Sequence, residues 1–339
     1  DAGETTTVDI EAVRIVGSHT GMRIGPGATV SLSDSTITGS AVHGLTGAEA
    51  TAITLTRSVI ADSGGPGMWI KCADGCNCPQ KPNVSLDRVL VRGNRLVSAA
   101  FVGVQATLNL VDITNSLEFG FERGGGLLVR GCSDVTATGV TVSTASSYGI
   151  FVDSSSATLG GGLGEAGIII IDSMPGVWIQ RIGSAAEEPD QTVVLDGVEV
   201  SDCRQAGMGF DHEAQGIIII DSKVANTASA SAPVEPVAGG TQAAVGLGVV
   251  WKRMSAVSID GLSVSGSSGH GILIDGPVAA GSTMANITLD GDDAAQGVAQ
   301  QQVDTQDEAP SVGANAPSVE QHSDKIADVP VGLELPVEP

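Results

Sequence analysis

One short phrase recurs along the chain and constrains its fold more than any other feature: a small or polar run, a glycine, then an alternating strand ending on a polar residue. It reads GMWIK at 67–71, GIFVD at 149–153, GVWIQ at 176–180, GMGFD at 207–211, GVVWK at 248–252 and GILID at 271–275. The first and third residues after the glycine are apolar in nearly every copy, as in Met68 and Ile70, Ile150 and Val152, Val177 and Ile179, Ile272 and Ile274. Side chains on a strand alternate faces, so the second and fourth residues point the other way.

The phrases are phase-locked. Their glycines fall at 44, 67, 149, 176, 207, 248 and 271, and the steps from 44 to 67, 149 to 176, 176 to 207 and 248 to 271 are 23, 27, 31 and 23 residues, a solenoid pitch. Short strands and Ser/Asp/Asn corners fill the intervals, and TAITLTRSVIADSGGPGMWIK at 51–71 is one full cycle. A β-sandwich would place turn signals every ~8–12 residues without such phasing. The Leu/Asn scaffold of a leucine-rich repeat is missing, and the 46 glycines do not recur at every third position, which excludes collagen. Longer spacings mark corner insertions at 72–82 and 228–244.

Over roughly residues 10–291 this rung pattern resembles the right-handed parallel β-helix superfamily, the pectate lyase-like solenoids. The resemblance lies in the rungs and brings no catalytic signature with it. It implies an all-β right-handed parallel β-helix over residues 1–291, with caps at 1–12 and after Gly291. Residues 292–339 are acidic and rich in Ala, Gln and Pro, and read as a low-complexity tail or linker. Within them VGLELP at 331–336 is a segment able to fold back as a cap.

The formal net charge of -23, with only 16 Lys and Arg, argues against nucleic acid and anionic lipid as partners. No apolar run approaches the ~20 residues of a membrane span. The chain starts at Asp1 without a visible signal peptide and reads as a mature or excised segment, secreted or held at the cell surface. Cys72, Cys76 and Cys78 fall within the insertion CADGCNCPQKP. That spacing is not a zinc ribbon, so no metal site is expected there. One or two disulfides are expected to staple the loop, with Cys132 as a partner on a later turn and Cys203 as the odd thiol.

In register, the outward residues form two columns. The second position after glycine holds Trp69, Phe151, Trp178, Gly209, Val250 and Leu273; the fourth holds Lys71, Asp153, Gln180, Asp211, Lys252 and Asp275. Flat aromatics beside carboxylates and amides suit a sugar ring and its hydroxyls. Trp69, Lys71, Phe151, Trp178, Gln180 and Asp275 are therefore the ligand-binding candidates. The competing structural reading has the aromatics covered by insertions or by another chain. Asp153 and Asp211 lie two strand spacings apart, ~9–10 Å, near the ~6.5–9.5 Å separation of an inverting glycosidase. His212 and Glu213 follow directly. A lyase would instead use Lys252 or Arg253 as base and carboxylates around Ca²⁺. Asp153, Asp211, His212 and Lys252 are the catalytic candidates.

GHG at 269–271 resembles the histidine motif of the polygalacturonase family, but that family's Asn-Thr-Asp, Asp-Asp and Arg-Ile-Lys elements are missing in that order. The residue before the phrase glycine also changes freely, being His43, Pro66, Tyr148 or His270, so it reads as variable corner surface. GGGLGEAG at 160–167 lacks the Lys-Ser/Thr of a phosphate loop. The leading expectation is a non-catalytic module that binds polysaccharide or assembles along this face, with no required cofactor. A polysaccharide lyase or glycoside hydrolase in the same groove, and a purely structural stalk that self-associates end to end, are the alternatives.

Overall fold

The computed structural model describes residues 6–118, 124–161, 167–181, 191–211, 214–228, 246–252, 255–275 and 279–290, and the backbone of strands at 298–301, 311–312 and 319–322. Each turn of chain lays down three short strands, as in Ala52–Thr56, Val59–Ala61 and Met68–Lys71. Every one of them pairs in parallel with its counterparts a turn before and a turn after. The first two strands of each turn build a 20-stranded sheet, joined where Ile217–Ala225 and Val257–Ser265 run through both ladders; the third builds a separate 12-stranded sheet. This is the all-β parallel β-helix that the rung pattern predicts.

The parallel register explains why single turns look too small to fold yet the stack has a core. Identical strand positions superpose about 4.8 Å apart, so Leu32, Leu55, Leu86 and Leu108 form one column and Val30, Ile53 and Val84 another. All seven are buried. Burying one such side chain contributes ~1.5–3 kcal/mol, and each apolar contact depends on the turns above and below.

The phrase glycine marks the tightest place in each turn. A Cβ on Gly149 would lie 2.6 Å from the Gly176 carbonyl oxygen and 2.5 Å from Ile170 Cγ2. On Gly176 it would lie 2.6 Å from the Gly207 carbonyl oxygen and 2.4 Å from Val200 Cγ1. The long gap between Gly67 and Gly149 holds two further copies, because Ser98 and Gly126 stand in the same column. Ser98 tolerates the site with its hydroxyl 2.8 Å from that of Ser116.

Corners are made by residues in the left-handed region. Asp34, Arg57 and Arg88 (φ 49, 46 and 54) turn the chain from first strand to second, and Asp62, Asp172 and Asp202 (φ 55, 51 and 54) from second to third. Aspartate and asparagine tolerate this conformation because their short polar side chains bond locally. They also bond along the stack: Asn226 Nδ2 donates to Asp202 at 3.2 Å and Asn109 Nδ2 to Asp87 at 2.6 Å.

The insertion at 72–82 leaves the third strand of its turn and carries a single 3₁₀ turn, Gly75–Asn77. Disulfides Cys72–Cys78 and Cys76–Cys132 fasten it to itself and to a corner two turns along, as expected. Lys81 Nζ adds a hydrogen bond to the Cys132 carbonyl. Cys203 is the odd thiol, buried in the core, and burial pushes its pKa up to about 12.

The first turn, residues 7–24, pairs on one side only among the described residues and leaves Val8, Val13 and Val16 exposed. Beyond residue 291, in the segment expected as tail, linker or cap, strands 298–301 and 319–322 extend the third ladder and 311–312 the first. The remainder of 292–339, including VGLELP, and nearly all of the 228–244 insertion lie outside the described residues. Among the described residues no helix is long and apolar enough to cross a membrane.

Candidate functional site on the outer face of the third sheet

The two predicted columns exist in the predicted register. Trp69, Ala100, Leu128, Phe151, Trp178, Gly209, Val250 and Leu273 succeed one another on adjacent strands. Two residues on stand Lys71, Val102, Arg130, Asp153, Gln180 and Asp211, all polar but Val102, and Lys252 pairs with Asp275 further along. Asp153, Gln180 and Asp211 therefore occupy three consecutive turns.

The aromatic column faces away from the solenoid core but is not an open platform. Trp69, Phe151 and Trp178 are 7%, 0% and 3% exposed, and they form a second apolar layer with Val97, Ala100, Leu128 and Tyr148. Local packing accounts for part of this. The Tyr148 and Phe151 ring centroids are 5.2 Å apart, and the Tyr148 ring presses on Gly125, where a Cβ would meet it at 2.3 Å. Trp178 lies across Gly209 in the next turn, where a Cβ would come within 2.2 Å of its six-membered ring. Glycine at 209 thus makes room for the indole. Tyr148 corrects the expectation that the residue before the phrase glycine is surface, since here it is buried and its hydroxyl pKa is raised by that burial.

Ion pairs border this layer. Arg181 donates from Nε and Nη2 to the two oxygens of Asp153, each at 2.7 Å, and Arg130 Nε stands 3.5 Å from the same carboxylate. Asp153 is 1% exposed, whereas the two guanidinium side chains are 38% and 45% exposed, so the charge is buried on one side and wet on the other. One turn beyond Gln180, Asp211 accepts from Lys252 Nζ at 2.8 Å. That ammonium also lies 5.2 Å from the centroid of Trp178, a cation–π distance.

Among the described residues, three polar atoms on this face are buried without a hydrogen-bond partner: Tyr148 Oη, Trp178 Nε1 and Gln180 Oε1. An unsatisfied buried group typically costs about 1–3 kcal/mol, and these three stand on adjoining turns.

Sequence reasoning did not single out Tyr148, Arg130 or Arg181. GLLVR at 126–130 is itself a copy of the phrase and would have revealed Arg130. Arg181 follows the phrase at a left-handed corner (φ 54), and its reach back to the preceding turn needs the fold. His212, Glu213 and Arg253 lie outside the described residues, as does the Asp275 side chain, whose backbone alone is placed. No group of three or more His, Cys, Asp or Glu able to hold a metal occurs among the described residues.

No family model matches the chain, and no curated protein matches its sequence. Solved structures do match. The enzymatically active domain of bacteriophage CBA120 tailspike protein 2 superposes with a TM-score of 0.46 at 13% identity, over 93% of this chain and 48% of that one. Pectate lyase Pel9A superposes with a TM-score of 0.34 at 12% identity, over 87% of this chain and 72% of that one. The chain thus spans about half the length of the tailspike domain. The parallel β-helix itself is read from this chain's own strand pairing.

Proposed function

We propose that the chain is a glycan-recognition solenoid whose binding face is the outer side of the third sheet, around Phe151, Trp178 and Gln180. The observation that carries this is the polar file bordering the aromatic layer, where the guanidiniums of Arg130 and Arg181, 38% and 45% exposed, are fixed on the buried carboxylate of Asp153. Fixed, part-exposed donors along a solenoid face suit the hydroxyls of a sugar chain, while the aromatic rings beside them are covered and serve as the layer the face is built on. Secretion or display at the cell surface belongs to this proposal and is supported by the two disulfides.

Catalysis in the same place is the second reading, favoured by the aspartates on either side of Gln180 in register. Against it, both oxygens of Asp153 are engaged by Arg181 and Asp211 is engaged by Lys252. These carboxylates fit a role in orienting the cations and the indole better than one in moving protons.

Gel retardation on a panel of polysaccharides, run alongside an assay for released oligosaccharides with and without Ca²⁺, separates the two. The expected result is retardation without product. Asp153→Asn should cost about 1–3 kcal/mol of stability, because two guanidiniums lose their shared carboxylate while remaining partly hydrated. Product from the parent that disappears in Asp153→Asn and Asp211→Asn, both still folded by circular dichroism, would establish the enzyme instead.

A further inference from the structure

The stapled insertion reaches the proposed face. It leaves the third strand directly after Lys71 and crosses the corners of the next two turns. A Cβ on Gly103 would stand 2.7 Å from the Gly75 carbonyl oxygen and 3.1 Å from Cys72 Cβ, and one on Gly131 would stand 3.9 Å from Gly75 Cα. Both corners are left-handed glycines (φ 65 and 64), so no side chain separates the loop from the solenoid there. The Cys76–Cys132 cystine and the Lys81 hydrogen bond to the Cys132 carbonyl end the crossing. Cys132 follows Arg130 and Gly131 and is itself left-handed (φ 61), a conformation uncommon outside glycine, asparagine and aspartate. Gln191 Nε2 lies 3.6 Å from Cys132 Sγ and donates to the Ser154 carbonyl at 3.1 Å, and Ser154 Oγ donates to Asp153 at 3.2 Å. The cystine is thus joined to Arg130 along the chain and to Asp153 through Gln191 and Ser154.

Of the two cystines, this one offers a reductant the easier entry. Cys76 is exposed, whereas Cys72 is 4% exposed and Cys78 half-buried. Thiol–disulfide exchange needs access to the sulfur attacked, and exposed cystines are the labile ones. A dithiol reductant attacks Cys76 Sγ as its thiolate, the bond to Cys132 breaks, and Cys132 leaves as a thiolate that takes up a proton. The reductant's second thiolate then attacks the mixed disulfide, closes its own cystine and releases Cys76, which also takes up a proton. Two electrons and two protons have then passed to the chain. Opening the two bonds has different consequences. Cys72–Cys78 closes a ring within the loop, with a sequence separation of 6, while Cys76–Cys132, with a separation of 56, is the covalent tie across the turns. We infer that Cys76–Cys132 is a redox-sensitive latch on the binding face. Closed, it holds 72–82 over Gly103 and Gly131 and fixes the corner from which Arg130 projects; reduced, it releases both, and the face binds less tightly. The affinity half of this inference rests on the glycan reading above; the order of reduction does not.

The test exposes the whole chain to graded dithiothreitol, blocks free thiols with iodoacetamide, locates them by peptide mass spectrometry, and repeats the polysaccharide retardation on each sample. Cys76 and Cys132 should become alkylated at about one-tenth of the reductant that opens Cys72–Cys78. The circular dichroism of the strands should stay unchanged while 72–82 becomes open to protease. Affinity for whichever polymer retards the oxidised chain should fall about tenfold and recover on reoxidation. Cys76→Ser with Cys132→Ser should bind as weakly as the reduced parent and ignore reductant. Cys72→Ser with Cys78→Ser should bind as the parent does and keep the response. A merely structural cystine would lower the melting temperature without that split. Opening of Cys72–Cys78 first, or of both bonds together, would overturn the latch. Selective opening with affinity unchanged would overturn its coupling to Arg130 and leave the glycan reading standing. If the oxidised chain binds none of the polymers, the glycan reading and the affinity half of the inference fall together, and the order of reduction still decides the other half.

Discussion

At the scale of single residues, the fold depends on places where only one side chain fits. Gly149 and Gly176 have ordinary backbone angles, and what excludes a side chain there is the next turn's carbonyl and a β-branched methyl. Gly149→Ala and Gly176→Ala should each cost about 1–3 kcal/mol or more, as overpacking does, read as a lowered urea midpoint. Gly25→Ala is the control, since nothing lies within 4 Å of its added Cβ and its angle is ordinary; it should be neutral. His43, half-buried beside the first turn, has its pKa lowered from the ordinary 6.5 by burial first and by His19 second. The unfolded chain therefore takes up that proton before the folded one does. Its contribution is intact above pH 6.5 and is lost as pH falls below that value toward the depressed folded pKa. His43→Gln should flatten this part of the stability–pH curve, measured by chemical denaturation at half-unit steps.

At the scale of elements, the stapled insertion gives a sharp expectation. Native protein should show no thiol reactive with a disulfide reagent, because four cysteines are bonded and Cys203 is buried with its pKa near 12; unfolding should release one. Cys76→Ser with Cys132→Ser should cost about 2–4 kcal/mol and open 72–82 to limited proteolysis while the strands on either side stay resistant. The strands were legible in the sequence because a parallel stack repeats one local rule, apolar residues inward and a glycine at the close contact. MWIK, IFVD and VWIQ state that rule within four residues each. What they do not state is how far their outward side chains are covered. Trp69, Phe151 and Trp178 point as the alternation requires, yet they are buried, because burial on an outer face is set by neighbours distant in sequence. The copy at 98–102 was hidden for a simpler reason: it replaces the marker glycine with Ser98, whose hydroxyl meets that of Ser116, a partner that the sequence does not announce.

At the scale of the whole molecule, the solenoid converts a sequence repeat into a linear surface. Ladder pairing puts Asp153, Gln180 and Asp211 in file, so a line of polar side chains along the axis arises without any contiguous motif. This is why no signature could be read for it, and why the Arg130–Asp153–Arg181 trio, gathered from three successive turns, emerges only once the turns are stacked. The same geometry leaves the first turn with an open edge and exposed Val8, Val13 and Val16. The account's central claim is that the outer face of the third sheet is where a glycan binds. Hydrogen–deuterium exchange with and without a neutral polysaccharide tests it most directly. Slowed exchange confined to peptides covering Ile150–Asp153, Val177–Gln180 and Ala206–Asp211 is the predicted result. Protection confined to the strands of the other sheet, or none under conditions where the polymer is bound, would contradict it.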